Sequence, residues 1–293
     1  MIGLIIVIAI FIIALLAPLL APMPISNTTG KPMSKDPMLI PLDFQQPKPM
    51  GAPSSKWNGT FTWGSGSLGV DIYYGCMWGA RTSIYIAMTV VLTSLLIGII
   101  VGAISGYFGG VIDEILMRLT DIFLSIPGLI LAMAVAAVLS SHTLETTLLA
   151  LIIVWWPPYA RLVRGQVLSI KESTYVEAAK ALGAKRMRIL FRHIIPNTLS
   201  PIIVNATMDL GVVVLVAAGL SFIGYGPPVG YAEWGKMVAD GQNWLTGNVY
   251  YMGQAYNPWW IWAFPAFFIF LFVMGFNLLG DGLRDILDPR LRR

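Results

Sequence analysis

The chain has 293 residues, 56% of them apolar and only 12% charged, with 19 Lys and Arg against 15 Asp and Glu for a net charge of +4. An ordinary soluble domain carries about 25% charged residues, so these side chains cannot cover a water-facing surface; a soluble globular enzyme and a disordered chain are excluded. The lone cysteine, Cys76, excludes an intrachain disulfide scaffold.

A hydrocarbon core about 30 Å thick takes about 20 apolar helical residues to cross. Six such runs follow in chain order. The first, 2–21, is uncharged. It exceeds a signal-peptide core of roughly 7–15 residues and no basic segment precedes it, so it reads as an uncleaved membrane helix. The second, 82–107, is also uncharged. The third, 115–140, carries Arg118 and Asp121 near its start. The fourth, 144–159, is short and is predicted to end at Pro157 and Pro158, because proline removes a helical donor and crowds the preceding turn. The fifth, 199–222, holds one acid, Asp209, and the sixth, 259–279, is uncharged and aromatic-rich. The predicted fold class is an all-α membrane protein with six transmembrane helices. It divides into a first helix (1–21), an insert (22–80) and a core (81–293).

Lys and Arg set the orientation. Between spans four and five lie Arg161, Arg164, Lys171, Lys180, Lys185, Arg186, Arg188 and Arg192, and the tail adds Arg284, Arg290, Arg292 and Arg293. The insert 22–80 between spans one and two has only Lys31, Lys35, Lys48 and Lys56, with Arg81 at the entry to span two, and the stretch between five and six has only Lys236. The four-to-five segment and both termini are therefore expected in the cytoplasm. The insert is expected outside, as an ordered or semi-ordered cap, since its prolines forbid a long helix and disfavour a central strand. Its sequons at Asn27 and Asn58 are potential glycosylation acceptors, and that at Asn205 falls within span five.

No chemistry of the chain's own is legible. Gly64-Ser65-Gly66-Ser67-Leu68-Gly69 matches G-x-G-x-x-G but joins no strand to a helix. There is no P-loop pattern, no metal-ligand cluster around His142 or His193, and no nucleophile elbow. The expectation is no enzyme, no metal and no cofactor.

The informative segment is 169–197. Thr174 and Glu177 have capping-box spacing. Tyr175, Ala178, Ala179 and Leu182 follow at i, i+3, i+4 and i+7, one helical face, and Gly183 is placed to end the helix in a left-handed turn. A second helix puts Met187, Leu190, Phe191 and Ile194 on one face and Lys185, Arg188 and Arg192 on the other, with Pro196 stopping it before span five. Two readings fit this pattern: an amphipathic element on the inner leaflet, or a helix that docks in a partner's groove.

Glu177-Ala178-Ala179, Gly183 and Ile194-Ile195-Pro196 resemble the EAA signature of ABC importer permeases. The wider runs 175–184 and 191–197 are similar to the C-type subunit of the dipeptide/oligopeptide (peptide/nickel) permease family. Gly79-Ala80-Arg81, Gly106-Tyr107-Phe108-Gly109-Gly110 with Asp113, Met117-Arg118 and Asp121, Trp156-Pro157-Pro158, and Asn277-Leu278-Leu279-Gly280-Asp281 extend the likeness along the chain. Ile195 stands where the generic signature has Leu, and Val70 where the family often has Arg.

The resemblance implies a type I ABC importer fold in which 169–197 is the cytoplasmic EAA coupling segment. It implies a second homologous permease subunit, two ATP-binding subunits that carry the ATP and Mg, and an extracytoplasmic substrate-binding protein, in the membrane of a bacterium or archaeon. Thr174, Tyr175, Glu177, Ala178, Ala179, Leu182, Gly183, Arg188, Arg192 and Pro196 would then form the ATPase-coupling element, and the cargo would be short peptides or, in the same machine, oligosaccharides. An ion-driven secondary transporter and a membrane-embedded enzyme are the remaining classes, and both leave the docking segment unexplained.

The ionisable residues of the spans need partners. Asp209 is read either as a pathway residue meeting cargo or as a pair with the second permease subunit. Glu114 and Arg118 are expected to pair at i,i+4, and Asp121 to share Arg118 or line the pathway. The clusters Trp155-Trp156 and Trp259-Trp260-Trp262 read as interfacial anchors.

Overall fold

A computed structural model of the chain describes residues 1–43, 45–57 and 59–287; the Asn58 sequon and Arg290, Arg292 and Arg293 fall outside them. In chain order the helices are α1 (Ile2–Leu20), α2 (Ile72–Phe108), α3 (Gly110–Leu124), α4 (Gly128–Leu139), α5 (Leu144–Lys171), α6 (Thr174–Ala181), α7 (Arg186–Ile189), α8 (Ile195–Phe222), α9 (Trp234–Gly241) and α10 (Trp260–Leu287). An antiparallel hairpin, β1 (Val249–Tyr251) and β2 (Gln254–Tyr256), precedes α10.

Among the described residues, five helical runs are long and apolar enough to cross a membrane, those of α1, α2, α5, α8 and α10. The predicted third span is not one helix. α3 and α4 meet at a bend of 88°, the geometry of a broken span or of a re-entrant loop, and supply a sixth crossing only where the pair is one span. Pro127 explains the break: it lacks the amide a continuous helix needs and pushes Ile126 away from helical angles.

The fourth span differs in the opposite sense. α5 starts where Thr143 caps it, accepting from the Thr146 amide at 3.3 Å, and runs through Pro157 and Pro158 to Lys171. The prolines withdraw two donors, but a long packing seam against α2 holds the helix. Gly98, Gly102 and Gly106 on α2 let the backbones approach so closely that a Cβ at Gly98 would lie 2.3 Å from Tyr159 Cβ. α2 is itself longer than predicted. Asp71 caps it by accepting from the Tyr74 amide at 3.1 Å, so that it begins at Ile72, ten residues before the expected start. Its 37 residues span about 55 Å, well beyond the bilayer core.

Pro196 does not stop the second helix of the 169–197 segment. α7 passes through a π-helical turn, Leu190–Ile194, straight into α8, where Pro196 occupies the first turn. A missing amide is harmless there, and beside it the Asn197 side chain donates to the His193 carbonyl at 2.6 Å.

The segment between α1 and α2 is an ordered cap. Asp43 and Lys48 form a buried ion pair at 2.8 Å, Ser55 also donates to Asp43, and Trp57 and Phe61 are buried beside them. Main-chain bonds from Ile40 to Gly230 and from Ala232 to Met38, each 2.8 Å, tie the cap to the α8–α9 connection. Trp234 of α9 is fully buried against Gly79 and donates to the Cys76 carbonyl at 3.0 Å. Two tryptophans expected as interfacial anchors are packing residues as well. Trp260 is buried and donates to the Ser65 carbonyl at 3.1 Å, and Trp156 is buried edge-on to Phe123; Trp259 is the exposed one.

Candidate functional site

α5 carries the chain out of the apolar bundle and hands it directly to α6, with only Glu172 and Ser173 between them. Lys171 donates to the Gly106 carbonyl at 3.0 Å, fixing the end of α5 to the end of α2. Ser173 occupies the cap position of α6 and Thr174 is already helical, with no side-chain cap bond, so the expected Thr174–Glu177 capping box does not form. Glu177 instead lines a polar cavity with Lys171, Lys180, Arg186 and Tyr107.

Val176 is the buried residue of α6 and joins Ile189, Leu190 and Ile194 in one core cluster. The predicted face behaves differently. Tyr175 is 44% and Leu182 88% exposed, Ala178 is exposed between them, and Ala179 is partly covered. Gly183 closes the helix as expected, at φ +78°. Its amide bonds the Lys180 carbonyl at 3.0 Å and that of Ala184 bonds Ala179 at 3.1 Å, the paired bonds of a Schellman turn.

In the following helix the predicted inward face is half right. Leu190 and Ile194 are buried, but Ile189 joins them while Met187 and Phe191 are exposed. The π-turn explains this: one extra residue in the turn rotates the register that a 3.6-residue period assumes. Arg188 and Arg192 are exposed, as expected. The segment thus presents Tyr175, Ala178, Leu182, Met187 and Phe191 with a basic flank, on a base tied to α2 and α5.

Sequence reading missed what braces α5. Arg164 grips Asp113 of α3 with two bonds of 2.6 and 2.7 Å, and Ser105 of α2 donates to the same carboxylate. Asp121 pairs with Arg161, not with Arg118, which pairs with Glu114 at 3.1 Å as predicted. The signal was present: Asp113 and Asp121 on one helix answer Arg164 and Arg161 on another, in the reversed order of antiparallel neighbours. Asp209 lies far from α6, at mid-length of α8, beside Tyr159 and Trp155 of α5. Among the described residues no group of His, Cys, Asp and Glu is arranged to hold a metal.

Residues 98–293 match the family model described as "Binding-protein-dependent transport system inner membrane component". The probable D,D-dipeptide transport system permease protein DdpC of Escherichia coli (strain K12) is 42% identical, over 78% of this chain and 72% of its own length. The oligopeptide transport system permease protein OppC of Bacillus subtilis (strain 168) is 40% identical, over 100% of this chain and 86% of its own. The dipeptide transport system permease protein DppC of Alkalihalophilus pseudofirmus is 37% identical, over 99% and 86%. A solved inward-facing structure of the MetNI methionine ABC transporter superposes with a TM-score of 0.58 at 18% identity, covering 73% of this chain and 97% of that one.

The fold is therefore the type I ABC importer fold, in an integral membrane protein. The secondary-transporter and membrane-enzyme readings fall away. Matched over residues 98–293, this chain belongs to the family of inner membrane components of binding-protein-dependent transport systems.

Proposed function

We propose that the chain is the permease subunit of an ATP-driven importer of short peptides. It pairs with a second homologous permease subunit, accepts cargo from an extracytoplasmic binding protein, and is driven by two cytoplasmic ATPases that bind the ATP and Mg. The cap then faces outward, and α6, the C-terminus and the N-terminus lie in the cytoplasm, as the Lys and Arg distribution favours. Relatives named for dipeptide and oligopeptide transport support peptide over oligosaccharide cargo.

The observation that carries this reading is the position of α6. It follows the end of a braced helix directly and turns Tyr175, Ala178 and Leu182 away from the bundle. Small Ala178 between two larger apolar side chains suits insertion into a groove. Force from a closing ATPase dimer would pass from α6 into α5 and, through Arg161 and Arg164, into α3. Coupling requires that this contact differ in free energy between inward- and outward-facing states; a rigid base transmits such a difference. Arg188 and Arg192 offer charge to acids on the ATPase, and Pro196 fixes the entry into α8.

Copurification of the tagged subunit with a P-loop ATPase, followed by ATP-dependent peptide uptake in proteoliposomes, tests the reading. Uptake that proceeds at the full rate from the subunit alone would refute it.

A further inference from the structure

Asp209 is the one charged residue of α8 and sits at its midpoint, at the level where Tyr159 sits in α5. Tyr159 is buried in a cluster packed by Ala206, Leu210 and Val213 of α8. Asp209 lies three residues after Ala206 and four before Val213, so it shares that helix face. Trp155, one turn from Tyr159, packs on the same cluster. The Tyr159 residue is only 2% exposed, and its hydroxyl lies beside the Asp209 carboxylate without a well-formed hydrogen bond. Asp209 is partly open, and none of the ion pairs among the described residues includes it.

Two needs therefore meet at one point. A carboxylate at this depth requires a counter-charge, and a buried hydroxyl requires a partner. We propose that Asp209, Tyr159 and Trp155 form a subsite for a primary ammonium, the free N-terminus of the peptide in transit. An ammonium has three donors and no acceptor. One donor meets the Asp209 carboxylate and a second the Tyr159 oxygen, while the Trp155 indole N–H, set toward the same carboxylate, holds it in place. A guanidinium from the second permease subunit is the competing occupant. Its planar fork favours two parallel bonds to the carboxylate, which leaves the Tyr159 oxygen without a donor.

This inference rests on the peptide reading above. The test uses the complete transporter in proteoliposomes with ATP and its binding protein, comparing uptake of trialanine and N-acetyl-trialanine, each at saturating concentration. The wild-type ratio of the two rates absorbs the binding protein's own preference. Asp209→Asn is expected to lower that ratio about tenfold, the equivalent of one lost charge contact. Tyr159→Phe should lower it less, and Asp209→Glu should retain most of it. An unchanged ratio in Asp209→Asn overturns the subsite. Loss of the second permease subunit from the Asp209→Asn complex also overturns it and assigns the carboxylate to subunit pairing. A wild-type complex that imports neither probe refutes the peptide reading itself, and the inference with it.

Discussion

Arg81 on α2 donates through its Nε to the Ala14 carbonyl of α1, the carbonyl that Pro18 leaves without its helical donor. The same guanidinium reaches the Leu15 carbonyl at 3.3 Å and lies 5.0 Å from the centre of the Trp78 ring. A proline inside an apolar helix thus supplies an acceptor, and an arginine on the neighbouring helix takes it up. The contact holds α1 to the bundle near the cap. Arg81→Met should destabilise the purified complex by about 1.5–3 kcal/mol, the range for hydrogen bonds from a charged group. Pro18→Ala, which restores the competing amide, should cost less. Thermal unfolding checks both, and a melting temperature unmoved by Arg81→Met would remove this contact from the account.

The seam between α2 and α5 makes a second expectation. A Cβ at Gly102 would lie 2.4 Å from the Ala160 carbonyl oxygen and 2.8 Å from Val163 Cβ, whereas one at Gly165 would meet nothing within 4 Å. Gly102→Val should cost at least about 1–3 kcal/mol by overpacking against backbone and reduce the yield of assembled complex. Gly165→Ala, in mid-helix, should be neutral or stabilise by up to about 1 kcal/mol. Equal effects of the two would contradict the close approach.

Gly183 separates conformation from packing. It stands at φ +78° with open space around its missing Cβ, so a side chain there is opposed by backbone strain alone, about 1–2 kcal/mol for most residues. Gly183→Val should leave assembly largely intact and loosen the turn that orients α6. Peptide uptake per ATP hydrolysed should fall, and Gly183→Asn should fall less, because Asn tolerates the left-handed region. Wild-type coupling in Gly183→Val would show that the turn does not orient the contact.

Asp71 gives a pH dependence. Burial at the cap of α2 pushes its carboxyl up to about 6, against the opposing pull of the Tyr74 and Tyr73 amides. The folded protein therefore holds this proton more tightly than the unfolded chain. The stability it contributes is fully present below the ordinary carboxylate pKa near 3.8 and is lost as pH rises through about 6. Asp71→Asn keeps a capping side chain and removes the titration. The wild type should lose stability relative to Asp71→Asn between those values, and the difference should level off above them. Asp43, where bonds from Lys48 and Ser55 overcome the upward push of burial, titrates in both proteins and cancels. Parallel melting curves across this range would contradict the prediction.

The spans were legible because an apolar run of membrane length has few other destinations. The Gly183 turn and the Glu114–Arg118 pair were legible because both are local. What failed was also systematic. Pro157, Pro158 and Pro196 were read as stops by local rules, yet packing along Gly98, Gly102 and Gly106 carries α5 through the first two, and the π-turn at Leu190–Ile194 delivers the third into a tolerant position. Pro127, with nothing to offset it, did break its helix. The Arg164–Asp113 and Arg161–Asp121 pairs escaped because they depend on which helices are neighbours. The exposed face of α6 escaped too, since periodicity shows that Tyr175, Ala178 and Leu182 share a side without showing whether the chain itself covers that side.

That face carries the central claim, and one introduced thiol tests it. Cys76 is the chain's single cysteine and is buried, so Ala178→Cys provides the one accessible thiol. In the isolated subunit it should react with a membrane-impermeant maleimide. In the assembled transporter it should be protected and should cross-link to an ATPase subunit in a yield that changes with ATP. Equal reactivity with and without the ATPases, or protection by lipid alone, would contradict the account.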